Sequence, residues 1–320
     1  MRAAADDIEA GGVVAELFAG DPAPPGSVPQ LRLLAALHYL VLAGRASELA
    51  AFYPSAGGQS PAEEAWPAAR AAIVEHFEWL RSRVRRTVQT NEPGRSAVLY
   101  PALLWLTARH RRPIRLLEIG ASAGLNLAAD RFLYLLGNLR LGDPTSPLVF
   151  REPWAPAPPI DLAAAAAALR ITARAGCDLA PLDAFDPADQ LTLESYIWPD
   201  ELDRMERLRA ALSVAARAPV RIVRASASRW LPEAIGSGRD DELTVVWHSV
   251  MRQYVEPEEW STIEEVLATH PEVVRLSMEP SLDDHLGRQR LAVREHPDGP
   301  EMTLARAGDH GLPISWEAAP

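Results

Sequence analysis

The sequence predicts an α/β protein with a helical N-terminal region. Apolar residues recur at three- and four-residue spacing up to about residue 110, short β-rich runs alternate with longer amphipathic stretches after Pro113, and 48% hydrophobic residues in a 320-residue chain can fill a sizeable core.

In the first third, Leu31, Leu34, Leu37, His38 and Val41, then Ile73, Phe77, Leu80 and Val84, recur at the spacing that lines one helix face. Pro and Gly interrupt this pattern at Pro22 to Pro29, Pro54 to Pro61 and Pro93-Gly94. Residues 1–110 are therefore expected to form a helical cap. The runs Ile114–Ile119, Leu169–Ala175, Val220–Arg224, Leu243–Trp247 and Val273–Met278 follow, and their alternation with helical stretches predicts a mostly parallel sheet with crossover helices over residues 111–320. The Pro-rich passage at about 137–160 is too long for an ordinary connection and reads as an insertion, and Ala163–Ala168 reads as a short helix. Near the end, Gln289–Arg294 and Glu301–Ala307 flank His296-Pro297-Asp298-Gly299, a hairpin signal.

Composition removes several function classes. The chain carries 43 acidic and 32 basic residues, a net charge of -11, so nucleic acid and anionic membrane are poor partners. All the basic residues are arginine; without a lysine there is no Schiff-base chemistry and no phosphate loop ending in Gly-Lys-Ser/Thr. Cys177 is the single cysteine, so no internal disulfide can form, in keeping with a cytoplasmic protein. Residues 1–12 lack the order of a signal peptide, and Leu33 to Ala43 is too short to span a bilayer, so no membrane segment is expected. The eight histidines show no zinc-ligand spacing, and no metal is expected.

The string Leu116-Leu117-Glu118-Ile119-Gly120-Ala121-Ser122-Ala123-Gly124-Leu125-Asn126 follows the first strand run and admits three readings. A dinucleotide fingerprint needs glycines at its first, third and sixth positions, and Ser122 and Leu125 stand at the last two. Gly120-Ala121-Ser122-Ala123-Gly124 also matches the Gly-x-Ser-x-Gly elbow of serine hydrolases, with Asp283, Asp284, His285 and His310 in the chain order a triad requires. In the third reading, Glu118, Gly120 and Gly124 resemble the first motif of class I S-adenosylmethionine-dependent methyltransferases, with Ser122 at the middle glycine. There, a turn without bulky side chains would let the cofactor lie against main-chain N–H groups at a helix start.

The later segments resemble that family in order. The run after Arg170 ends at Asp178, with Asp183 close behind, and either carboxylate would hold the ribose. Arg224 to Pro232 resembles the third-strand segment, where Ser226 stands at the adenine-contacting position or caps the next helix. Leu243 to Val255 resembles the fourth strand and its His-containing loop, with His248 at the edge where ligands collect. Glu279-Pro280 and the final hairpin complete the resemblance, which implies a Rossmann-like methyltransferase sheet of seven strands in the order 3-2-1-4-5-7-6.

The whole chain also resembles the bacterial domain of unknown function 2332 family. That likeness rests on Gln89-Thr90-Asn91-Glu92-Pro93-Gly94-Arg95, on Leu117 to Leu127, on Gly142-Asp143-Pro144 with Ser146-Pro147, on Arg174 to Leu179 with Pro181-Leu182-Asp183, and on Ile197-Trp198-Pro199. It implies a methyltransferase-like fold and no particular reaction.

The expectation is thus a methyltransferase that moves a methyl group from S-adenosylmethionine to an O or N nucleophile of a small-molecule substrate. Glu118, Gly120, Ala121, Ser122, Gly124, Asn126, Asp178, Asp183 and Ser226 are the candidate cofactor residues, His248 the candidate base, and Asn91, Glu92, Arg95, Trp247 and Tyr254 the candidate substrate contacts. The alternatives are a serine esterase built on Ser122 and a non-catalytic S-adenosylmethionine-binding protein.

Overall fold

The computed structural model describes residues 2–21, 27–281 and 284–318. They divide into two compact units, one of residues 1–90 with 183–208 and one of residues 91–182 with 209–320, and the second boundary falls inside the helix Leu202–Ala215.

The first unit is helical. Pro29 opens the helix Pro29–Leu42, whose Leu33, Leu37, Leu40 and Val41 are buried together with Ile73, Leu80 and Val84. His38 faces the other way, toward the returning segment of the same unit. Its Nδ1 lies 2.9 Å from the Ile197 carbonyl oxygen and 3.2 Å from that of Ser195, and its Nε2 lies 2.7 Å from the Ser55 hydroxyl. A neutral ring satisfies all of these groups, and burial pulls its pKa down from 6.5 to about 4.

The second unit is built on a sheet. Its strands in chain order are β1 (Ile114–Ile119), β2 (Leu133–Leu136), β3 (Leu139–Gly142), β4 (Val149–Arg151), β5 (Ile171–Asp178), β6 (Ile222–Arg224), β7 (Leu243–Ser249), β8 (Val274–Pro280), β9 (Gln289–Arg294), β10 (Met302–Ala307) and β11 (Ile314–Trp316). All six residues of β1 are buried, as expected for a parallel strand covered on both faces. The helix Ser96–His110 is buried from Ser96 to Thr107, which matches its nearly unbroken apolar sequence. Strands β2, β3 and β4 form a separate three-stranded sheet.

Among the described residues the main sheet has eight strands in the order β11-β10-β9-β8-β7-β1-β5-β6. Strands β6, β5, β1, β7 and β8 pair in parallel, and β8 through β11 pair antiparallel. This corrects the expected seven-strand Rossmann-like order 3-2-1-4-5-7-6, in which the last strand inserts between two earlier ones. Here β8 to β11 follow one another as a meander. Each of these strands pairs with its chain neighbour, as consecutive elements commonly do, and the three-residue β11 extends the sheet beyond β10. No helix among the described residues is long and apolar enough to cross a membrane.

Candidate functional site

From β1 the chain crosses to β5 and β6 on one side, and it returns to β7 and β8 on the other. The sheet therefore changes direction between β1 and β7, and the carboxyl ends of those two strands border the crevice where open α/β sheets bind ligands. Both loops that leave there hold non-glycine residues in the left-handed region: Ser122 at φ 51° after β1 and Val250 at φ 48° after β7. A β-branched residue in that region is strained, and such strain collects at functional sites.

One buried polar cluster lies on the face shared by Glu118 and Trp247, which are register partners on β1 and β7. Glu118 is 2% exposed and Trp247 is fully buried. Burial, with the Asp178 charge adding to it, raises the Glu118 carboxyl from 4.5 to about 8; Arg95, Asn126 and Trp247 pull the other way without offsetting this. Asn126 is held by the Ser96 hydroxyl, which donates to its Oδ1 at 2.7 Å. Arg95 donates to the Ser249 carbonyl oxygen at 3.1 Å. Asn91 Oδ1 accepts the Leu125 N–H at 2.9 Å, and a Glu92 carboxylate oxygen accepts the Gly94 N–H at 2.9 Å. All of these polar residues are buried.

A second cluster lies on the opposite face, because successive residues of β7 alternate. His248 Nδ1 stands 2.8 Å from Glu279 Oε1 at the end of β8, and the same oxygen accepts the backbone N–H groups of Met251 and Arg252. The Trp260 ring meets the imidazole edge-on, and Arg252 lies over the Trp260 ring. Tyr254 links the two faces: burial raises its pKa, with Arg95 of the first cluster and Glu279 of the second as its charged neighbours.

Most of the residues expected from the sequence gather at this edge: Asn91, Glu92, Arg95, Glu118, Gly120, Ala121, Ser122, Gly124, Asn126, Asp178, Trp247, His248 and Tyr254. For Asp183 and Ser226 the structure gives other contacts. Asp183 belongs to the first unit, where its Oδ1 accepts the Phe185 N–H. Ser226 faces the Ser228 hydroxyl at 3.4 Å and makes no side-chain cap bond. Glu279 is the residue that sequence reasoning missed as a partner of His248. The signal lay in the parallel register, which pairs His248 with Ser277 and puts Glu279 two residues further along the same face.

The Gly120–Gly124 turn does not fit S-adenosylmethionine as a main-chain cradle. Three of its five N–H groups already have partners: the Ala121 N–H bonds the Cys177 carbonyl, the Ser122 N–H bonds Asp178 Oδ2, and the Gly124 N–H bonds the Ala121 carbonyl. The other Asp178 oxygen accepts from Ala180 N–H. A Cβ on Gly120 would come within 2.9 Å of Met251 Sδ, and one on Gly124 within 2.7 Å of Ile222 Cδ1, so side chains occupy the space the glycines leave. The turn leads into a short 3-10 helix, Leu125–Arg131, rather than an α-helix with an aligned dipole. An open groove of about 450 Å³ lies elsewhere in the unit, between Tyr100, Asp130, Leu141, Ala163, Ala166 and Ala167, and none of the site residues named above lines it.

No curated protein and no solved structure matches the chain. The family model described as "Uncharacterized protein conserved in bacteria (DUF2332)" matches residues 1–316, and the chain belongs to that family.

Proposed function

We propose that residues 91–182 and 209–320 form an enzyme that acts on a small-molecule O or N nucleophile, with His248 as the general base. One observation carries this reading: the 2.8 Å contact between His248 Nδ1 and Glu279 Oε1. A carboxylate only accepts, so it selects the tautomer with the proton on Nδ1 and leaves the lone pair on Nε2. Nε2 makes no hydrogen bond among the described residues. A base oriented in this way can take a proton from an acceptor hydroxyl or amine, the ring becoming an imidazolium beside the Glu279 carboxylate. Glu279 acts through the imidazole and is a positioning residue.

This reading keeps the acceptor side of the methyl transfer expected from the sequence and assigns no step to S-adenosylmethionine. The serine-esterase alternative is disfavoured, since Ser122 is 2% exposed whereas a nucleophile elbow presents its serine. The test is cleavage of 4-nitrophenyl acetate, a substrate that reports a competent base or nucleophile. Cleavage is expected to fall by about 10²-fold in His248→Ala and to be unchanged in Ser122→Ala. A rate that depends on Ser122, or one no faster than free imidazole, contradicts the reading.

A further inference from the structure

The open groove of the sheet unit is bordered by β3, an edge strand of the three-stranded sheet, by the helix Leu162–Ala168 and by Tyr100. One wall carries no side chain beyond a Cβ, because Ala163, Ala166 and Ala167 stand at the i, i+3 and i+4 spacing of a single helix face. Leu139, Leu141 and Leu169 add apolar surface. About 450 Å³ lined in this way suits a slender apolar body. On the β3 side, the Asp143 N–H bonds the Phe132 carbonyl and so sets the alternation of the ladder with β2. The main-chain groups of Arg140 and Gly142 therefore face away from β2, along the free edge.

Tyr100 lines this groove while only 2% exposed. Burial and the Asp130 charge raise its pKa, and the Gly142 N–H, facing the phenol oxygen, pulls the other way. The hydroxyl thus keeps its proton, and no acceptor takes that proton among the described residues. The charges around the groove do not balance. Asp130 pairs with Arg174 at 2.5 Å and lies near Arg131, and Asp143 Oδ1 accepts the N–H and hydroxyl of Thr145, with Arg217 as its charged neighbour. Against these two carboxylates stand Arg131 and Arg140 as well, which form no ion pair among the described residues; Arg131 gives one N–H to the Ala218 carbonyl. Asp130 Oδ1 also lacks a partner, but that atom is sealed from solvent and is not offered to a ligand. What the groove presents is two guanidinium groups and one phenol O–H, all of them donors.

We propose that this groove binds a small aliphatic oxyanion, with its chain along the alanine face and its head at Arg131, Arg140 and the Tyr100 hydroxyl. An ammonium head would meet donors and like charges there, whereas an oxyanion meets charge-assisted hydrogen bonds. The site shares no residue with the His248 cluster and stands or falls independently of it.

The test is isothermal titration calorimetry of the full chain at about pH 7.5, where a carboxylic acid is ionised. Sodium octanoate is expected to bind saturably at one site. Octylammonium chloride, of the same chain length and opposite charge, is expected to bind at least about tenfold more weakly. Octyl phosphate separates the two heads that share this chemistry, and the tighter of the two anions shows which head the site is built for. Arg140→Gln removes an exposed charge and should weaken anion binding about tenfold. Tyr100→Phe keeps the ring that stacks on Tyr134 and removes the O–H, for an expected loss of about fivefold. Ala167→Leu retains a good helix former and fills the groove, so binding should disappear. Octylammonium binding as tight as that of the anions overturns the proposal. So does an anion affinity that any of the three substitutions leaves unchanged, or no binding of either anion.

Discussion

Glu279 Oε1 receives His248 Nδ1 at 2.8 Å and also accepts the N–H groups of Met251 and Arg252, at 3.1 and 3.3 Å. One oxygen thus sets the imidazole and ties down the chain that leaves β7. Glu279→Ala removes all three bonds and strands two backbone donors, so a loss of about 1–3 kcal/mol is expected in urea denaturation. Glu279→Gln retains an acceptor oxygen and should cost less. Equal losses in the two variants would contradict the shared role of Oε1.

Glu118 makes stability fall as pH rises. Its folded pKa, about 8, lies above its ordinary 4.5, so between those values the folded chain holds a proton that the unfolded chain has released. The contribution is a loss of about 1.4 kcal/mol per pH unit across that window. Glu118→Gln should remove that slope when denaturation is followed from about pH 6.5 to about pH 8. An unchanged slope would mean that the carboxyl ionises normally inside the fold.

His38 acts in the opposite sense. Its folded pKa of about 4 lies below its ordinary 6.5, so on acidification the unfolded chain takes up a proton first. Stability is then lost as pH falls from 6.5 toward 4, again by about 1.4 kcal/mol per pH unit. The two effects oppose each other between 4.5 and 6.5, where the wild type should be nearly flat if the units unfold together. His38→Gln should expose the Glu118 slope down to about pH 5. A His38→Gln profile that matches the wild type would contradict the neutral buried ring.

Gly120 carries two demands at once, a φ of 67° and the nearness of Met251. Gly120→Ala is expected to cost about 1–3 kcal/mol in thermal or urea denaturation, from backbone strain and overpacking together. Adding Met251→Ala should recover the steric share and leave the backbone share. Full recovery would show that the left-handed backbone carries no penalty for alanine.

How far the fold was legible follows from which interactions are local. Strands β1 and β9 have the bounds that alternation and flanking turns predict, and the Asp298-Gly299 turn joins β9 to β10 as expected. Strand β11 went unread because three residues after Pro313 carry too little pattern. The order of the last strands was also hidden. A meander and an inserted strand share the same alternation and differ only in which edge each strand chooses. At the site, the sequence resemblance offers Asp178 or Asp183 as a carboxylate for a ribose, but the Asp178 hydrogen bond to Ser122 N–H joins residues 56 positions apart, and only the fold discloses that the loop's own donor consumes it. The Glu279 partnership, 31 residues from His248, depends in the same way on the register of β7 against β8.

The most direct test of the His248 assignment is a ¹⁵N–¹H correlation spectrum of the imidazole rings in the full chain, with the His248 signals identified by His248→Gln. At a pH where the ring is neutral, the proton is expected on Nδ1, with Nε2 showing the shift of an unprotonated nitrogen. A neutral ring carrying its proton on Nε2 would leave no base where the substrate must meet it, and would contradict the proposed function.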